Sequence, residues 1–167
     1  DLEITLSSVE LAERIEQEIE LNGGKKARVH LKIDTGMERI GVRVENAAQF
    51  VEKVCRMKHI DVIGIYSHFA TADDADKTFA VQQLQRFETV LASVRKLGID
   101  IPIKHIANSG AVLDMPDSFY SMVRPGIMMY GVYPSKETSE SIPLKPVLSL
   151  KSEIVFIKEV PPNTSIS

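Results

Sequence analysis

The sequence predicts an α/β fold in which parallel strands alternate with helices. Short runs of branched apolar residues recur along the chain, and longer segments with the spacing of amphipathic helices separate them. In addition, four strand-like runs lead directly into loops rich in glycine and polar side chains. These stretches are VHLKIDTGMERIGVR (29–43), VIGIYSHFATADD (62–74), IKHIANSG (103–110) and SMVRPGIMMYG (121–131). Because loops after parallel strands usually carry the chemistry of α/β proteins, they predict one site built from several strand ends.

The first half of the chain contains two predicted strand and helix pairs. They are a strand at 2–6, a helix from residue 9 to the glycines at 23 and 24, a strand at 28–34, and a helix from Asn46 to about residue 57. Ser7 or Ser8 can cap the first helix, because a hydroxyl accepts from a free backbone N–H at a helix start. Asn46 is predicted to cap the second helix in the same way.

The second half continues this alternation. The predicted elements are a strand within 59–68, a helix over about 77–97, a strand at 103–106, a helix over about 109–113 and a strand at 119–123. The stripe of the long helix expected to face the core consists of Phe79, Leu84, Phe87, Leu91 and Val94. This pattern fits either an open doubly wound sheet or part of a (β/α)8 barrel, and periodicity does not distinguish the two.

The composition and residue pattern of the sequence change from Tyr133 onward. The stretch YPSKETSESIPLKP is rich in proline and serine, and PVLSLKSEIVFIKEVPP alternates like antiparallel strand. We therefore predict part of a (β/α)8 barrel in residues 1–133, and a linker with the start of a C-terminal β domain in residues 134–167. About five strands precede the boundary, whereas a complete barrel has eight. The prediction is a partial barrel belonging to a longer protein.

Composition excludes several classes of partner. The net charge is -3 and the isoelectric point is about 5.8, which gives no electrostatic reason to expect nucleic acid or an anionic membrane. The chain has no apolar segment typical of a targeting signal or membrane anchor. Cys55 is the only cysteine, so no internal disulfide forms, and a reducing cytoplasm is the simplest compartment.

Four motifs in register resemble the alanine racemase family. They are KIDTGMERIGVR, IYSHFATAD, HIANSGA and MVRPGIMMYG. The resemblance implies a pyridoxal-phosphate enzyme with an N-terminal barrel and a C-terminal β domain. It also implies interconversion of L- and D-alanine for the bacterial cell wall, by a homodimer with shared active sites.

The resemblance implies roles for individual residues. Arg124 would face the pyridine nitrogen of the cofactor, and His68 would hydrogen-bond to that arginine. Arg39 would lie near the cofactor phenolic oxygen and the substrate carboxylate, and Lys32 matches a position that some members carry as a carbamate. Taken singly, His68 could be a satisfied core histidine, and Arg39 could form a surface ion pair with Glu38.

The resemblance also implies a binding site for the cofactor phosphate. Asn108 and Ser109 open a helix after a strand, which favours an anion there. Ser109 would bind the phosphate, and Gly126 and Ile127 would supply backbone N–H groups from the next loop. Alone, Ser109 could be a plain helix cap. Tyr66, Tyr130 and Tyr133 are assigned no chemistry, and no metal site is predicted.

Two catalytic groups implied by the resemblance do not occur in this sequence. They are a cofactor-binding lysine in a motif like VKANAYGHG and a tyrosine from the neighbouring subunit, so no catalytic residue is assigned here. We expect no racemase activity from these 167 residues alone. The open alternatives are a racemase of another small amino acid such as serine, a non-catalytic pyridoxal-phosphate-binding barrel, and an unrelated phosphate-binding barrel enzyme.

Overall fold

Parallel strands form the centre of the computed structural model, which describes residues 2–166. The strands are β1 (Glu3–Leu6), β2 (Ala27–Asp34), β3 (Val42–Arg43), β4 (Ile60–Tyr66) and β5 (Ile103–His105). The sheet order is β1-β2-β4-β5, and the short β3 pairs with the end of β2. All pairings are parallel. The sheet does not close within the described residues, so the predicted partial barrel is confirmed.

Helices connect the strands and cover one side of the sheet. They are α1 (Val9–Asn22), α2 (Val44–Cys55), α3 (Thr78–Lys96) and α4 (Ser109–Asp114). The hydroxyl of Ser8 accepts from the backbone N–H of Leu11 at 3.2 Å, as predicted for the start of α1. Gly23 ends α1 with a φ of 70°, a left-handed conformation that favours glycine.

The core lies between the helices and the outward face of the strands. Leu31 and Ile33 on β2 and Ile65 on β4 are fully buried there. Phe50 of α2 and Phe87 of α3 pack into the same core. This face fixes the register of the strands, because a shift by one residue would expose every apolar side chain. The alternate strand residues therefore face the interior of the partial barrel.

Several element predictions are wrong. Helix α2 begins at Val44, so Asn46 lies inside the helix and does not cap it. The N-cap residue is Arg43, whose side chain makes no capping hydrogen bond. The segment 119–123 is not a strand, because Tyr120 adopts a positive φ of 47°, which breaks an extended run. On α3, Gln83 is fully buried, whereas Phe79 and Leu91 are only partly buried.

The segment after Lys145 forms no strand in the part of the chain that the structure describes. Its apolar side chains are exposed, with Leu150 at 97% and Val155 at 93%. The alternating pattern predicted a strand here, and the structure assigns none after β5 among residues 2–166. A strand needs a neighbouring strand to pair its backbone N–H and C=O groups. The assignment of 134–167 to a separate β domain stays a prediction. No described helix is long and apolar enough to cross a membrane.

Candidate functional site

Arg124 connects the ends of two strands through its guanidinium group. Its Nη2 donates to the carbonyl oxygen of Ser67 at 2.7 Å and to Nδ1 of His68 at 3.1 Å, and Nη1 donates to Nδ1 of His105. Because a guanidinium has only donors, both Nδ1 atoms are unprotonated acceptors. Burial, together with the charge of Arg124, lowers the pKa of His68 to about 4, so this histidine is neutral at pH 7. The contact between His68 and Arg124 agrees with the one expected from the resemblance.

A cavity of about 240 Å³ opens beside Arg124. Its lining consists of His68, Asp73, Asn108, Ser109, Gly110, Arg124, Gly126, Ile127 and Pro134. Six of the seven residues predicted to bind the cofactor belong to this lining, although they come from three separate loops. Their role as cofactor ligands stays a prediction. The cavity combines a hydroxyl, backbone N–H groups and a fixed cation, which are groups that bind phosphorylated ligands.

Ser109 links helix α4 to the loop that contains Arg124. Its hydroxyl accepts from the backbone N–H of Gly126 at 2.8 Å and from that of Met128 at 3.4 Å. Asn108 is the cap of α4, since its side chain accepts from the N–H of Ala111 at 3.1 Å. The alternative that Ser109 is a plain helix cap is therefore wrong. The hydroxyl and neighbouring amides meet at one point of the cavity wall.

Lys32 lies on β2 near the same end of the sheet and is only 3% exposed. Burial lowers the pKa of its ammonium group to about 8. The nearby Asp34 opposes this shift, and the charges of Arg124 and Arg39 add to it. Lys32 therefore has a larger neutral fraction near pH 7 than an ordinary lysine.

Arg39 is the predicted cofactor-binding residue that does not line the cavity. It is exposed in the loop after β2, yet its charge also contributes to lowering the pKa of His68, which indicates that it lies nearby. The predicted alternative, an ion pair with Glu38, is not formed among the described residues. Instead Glu38 lies 3.8 Å from Arg43.

The sequence reasoning missed a row of polar side chains that faces the barrel interior. Tyr66, for which no role was predicted, stacks on His105 with 4.7 Å between ring centres, and its hydroxyl lies 2.9 Å from that of Thr5. His105 Nε2 lies 2.8 Å from His30 Nδ1, and His30 Nε2 lies 3.3 Å from a carboxylate oxygen of Glu3. A signal was available, because TIM-barrel interiors are usually filled with branched apolar residues, and polar ones at alternate strand positions are unusual.

Comparison with known proteins identifies the family. Residues 1–134 match the family model described as alanine racemase, N-terminal domain. The chain belongs to the alanine racemase family. The family predicted from the four motifs is therefore confirmed.

Alanine racemases from several organisms resemble the chain over most of its length. It is 48% identical to alanine racemase 2 of Caldanaerobacter subterraneus subsp. tengcongensis, over 90% of this chain and 39% of that protein. It is 44% identical to the alanine racemase of Methanococcus maripaludis, over 100% of this chain and 45% of that protein. The chain thus spans less than half the length of these curated relatives.

Solved alanine racemases share the fold. The match to the alanine racemase of Clostridium difficile 630 in complex with cycloserine has a TM-score of 0.83 at 37% identity. It covers 86% of this chain and 40% of that enzyme. The enzyme of Bacillus anthracis, with bound L-Ala-P, gives a TM-score of 0.76 at 31% identity, over 87% and 38% of the two chains. These similarities confirm that the parallel sheet and its helices correspond to part of the N-terminal barrel of alanine racemase.

Proposed function

We propose that this chain forms the cofactor-holding part of the active site of an alanine racemase, which interconverts L- and D-alanine. The main observation is the cavity of about 240 Å³, where six predicted residues from three loops come together. The relatives in the comparison are named as alanine racemases, which favours alanine over serine and an active enzyme over a carrier.

The residues of the cavity fit pyridoxal phosphate. The hydroxyl of Ser109 and the backbone N–H groups of Gly126 and Ile127 suit the phosphate, and Arg124 suits the pyridine nitrogen. When bound, the cofactor withdraws the electron pair that remains after Cα loses its proton. Because Arg124 does not give up a proton, it keeps the ring nitrogen unprotonated and moderates this withdrawal. Asn108 holds the start of α4 in place.

Arg39 and Lys32 would act on the substrate side of the site. Arg39 would attract the alanine carboxylate and the phenolic oxygen of the cofactor, since a planar cation suits both anions. A carbamate on Lys32 would convert a cation into an anion and orient Arg39 by charge-assisted hydrogen bonds. The proposal extends to a cytoplasmic homodimer that supplies D-alanine for the cell wall.

The test uses the full-length protein that contains this chain. We expect it to convert L-alanine into D-alanine when pyridoxal phosphate is present. Replacing Ser109 by Ala should weaken cofactor affinity about tenfold, because a hydrogen bond to a charged group contributes about 1.5 kcal/mol or more. Ser93→Ala, on the outer helix α3, is the matched control. Equal cofactor affinity in the two variants, or absence of D-alanine, would contradict the proposal.

A further inference from the structure

A continuous line of hydrogen bonds leads from Arg124 to the opposite edge of the sheet. Arg124 donates to Nδ1 of His105, Nε2 of His105 lies 2.8 Å from Nδ1 of His30, and Nε2 of His30 lies 3.3 Å from Oε2 of Glu3. Glu3 lies on β1, His30 on β2 and His105 on β5, and Arg124 lies in the loop that also contains Gly126. A cation thus stands at one end of the line and a carboxylate at the other.

The chemistry of the two end groups fixes the direction of every bond. The guanidinium can only donate, so His105 accepts at Nδ1 and carries its proton on Nε2. His105 then donates to Nδ1 of His30, which leaves the proton of His30 on Nε2, pointing at the carboxylate of Glu3. Each nitrogen has one partner of the correct kind when both imidazoles are neutral. No other neutral arrangement satisfies all three contacts.

The backbone makes room for this line. Gly64 on β4 faces the ring of His30, and a Cβ atom at Gly64 would lie 2.7 Å from Cγ of that ring. The pairing of β2 with β4 also shifts register between Val29 and His30. His30 is 9% exposed and His105 is 3% exposed, so both rings are held inside the partial barrel. Glycine is required at position 64 because any larger side chain would overlap the imidazole.

We propose that Glu3 and His30 are positioning residues that hold the guanidinium of Arg124 through His105. The carboxylate makes each imidazole nitrogen along the line a better acceptor, because hydrogen bonds in series polarise one another. Since the guanidinium retains its protons, the line orients Arg124 and does not transfer a proton. The effect on a cofactor rests on the proposed function, whereas the hydrogen-bond line does not.

The direct test is nitrogen NMR of the full-length protein with ¹⁵N-labelled histidine. Two-bond proton correlations distinguish which ring nitrogen carries the proton. We expect His30 and His105 both to be protonated on Nε2 only. In Glu3→Ala the acceptor of His30 is lost, so the Nδ1-protonated form of His30 should appear. In Glu3→Gln the amide oxygen can accept the same bond, so the wild-type form should be retained.

Arg28 provides a matched control. It lies 2.9 Å from the other carboxylate oxygen of Glu3, so Arg28→Ala removes a charged neighbour of Glu3 without removing the acceptor of His30. We expect its imidazole signals to match those of the wild type. Gly64→Ala provides a second variant, in which the added methyl group should displace His30 and alter its signals in protein that remains folded by circular dichroism.

The turnover rate of the Glu3 variants provides a second, independent measurement. Glu3→Ala should lower kcat about tenfold, as is typical when a group that orients a site residue through hydrogen bonds is lost. Glu3→Gln should retain most of the wild-type kcat. Protonation of Nδ1 in wild-type His30 or His105, or unchanged signals in Glu3→Ala, would overturn the proposal. The NMR reading needs neither cofactor nor turnover, so failure of the racemase assay is distinct from failure of the hydrogen-bond line.

Discussion

At the scale of single residues, Lys32 has an environment that disfavours its charge. Its Nζ donates to the carbonyl oxygen of Ile33 at 2.9 Å and lies 5.4 Å from the centre of the Tyr66 ring. Burial lowers the pKa of this lysine to about 8. Carbon dioxide reacts only with the neutral amine, and the resulting carbamate is an anion that the cations Arg39 and Arg124 would stabilise. The position thus favours a modification that the resemblance had indicated.

We predict that Lys32 is carbamylated near neutral pH. Protein equilibrated with ¹³C-bicarbonate should give a carbamate carbon signal, and Lys32→Arg should abolish it, because a guanidinium does not react in this way. Lys96→Arg, at the exposed end of α3, is the control and should leave the signal unchanged. A spectrum without a carbamate signal, together with the unmodified mass of the native protein, would show that Lys32 remains an amine.

At the scale of elements, the short helix α4 positions Asn108, Ser109 and Gly110 in the cavity wall. Gly110 lies in its first turn, where a Cβ atom would be 2.8 Å from the carbonyl carbon and oxygen of Ala72 and 2.9 Å from the N of Asp73. These are backbone atoms of the loop after β4, so they cannot move as a flexible side chain would. Close approach of two backbones therefore fixes the start of α4 against the loop after β4, and a separate hydrogen bond joins the neighbouring Ser109 to Gly126.

We predict that Gly110→Ala pushes α4 away from the loop after β4. The free energy of unfolding should fall by about 1–3 kcal/mol, the usual cost of overpacking. Chemical denaturation measures this change. Ala92→Ser adds one atom at an exposed position of α3 and is the control. If both variants unfold at the same denaturant concentration, the close contact at Gly110 does not limit the position of α4.

At the scale of the whole molecule, the sheet has an apolar outer face and a polar inner face. The inner face holds His105 among Arg124, His30, Lys32 and Tyr66. Burial and the surrounding positive charge lower the pKa of His105 to about 3, below its ordinary value of 6.5. Between these two values the unfolded chain binds more protons than the folded chain. The contribution of His105 to the free energy of unfolding is therefore fully present above pH 6.5 and is lost as the pH falls towards 3.

We predict that acid destabilises the fold below pH 6.5. At about pH 5, His105 alone should lower the free energy of unfolding by about 2 kcal/mol relative to neutral pH, since one pKa unit corresponds to about 1.4 kcal/mol. Denaturant titrations at both pH values measure the difference. His105→Gln should reduce this pH dependence, whereas His59→Gln, on the connection before β4, should retain it. An equal pH dependence in both variants would contradict the assignment to His105.

Much of the site was predictable because its residues belong to continuous motifs. The contact between His68 and Arg124 and the meeting of Ser109 with Gly126 followed from motifs of the family. The inner row was not predicted, because Glu3, His30 and His105 lie in three separate strands with no shared motif. Their contacts join residues far apart in the sequence, and no local pattern shows which polar side chains of separate strands meet.

The sequence by itself determined the alternating α/β pattern, the family and the loops that carry the cavity. Those features depend on local periodicity and on residues close together in the chain. Only the tertiary structure decided that polar side chains of β1, β2 and β5 form one hydrogen-bonded row that ends at Arg124. The physical reason is that the direction of each hydrogen bond depends on partners far apart in sequence, and the apolar outer face fixes where they meet.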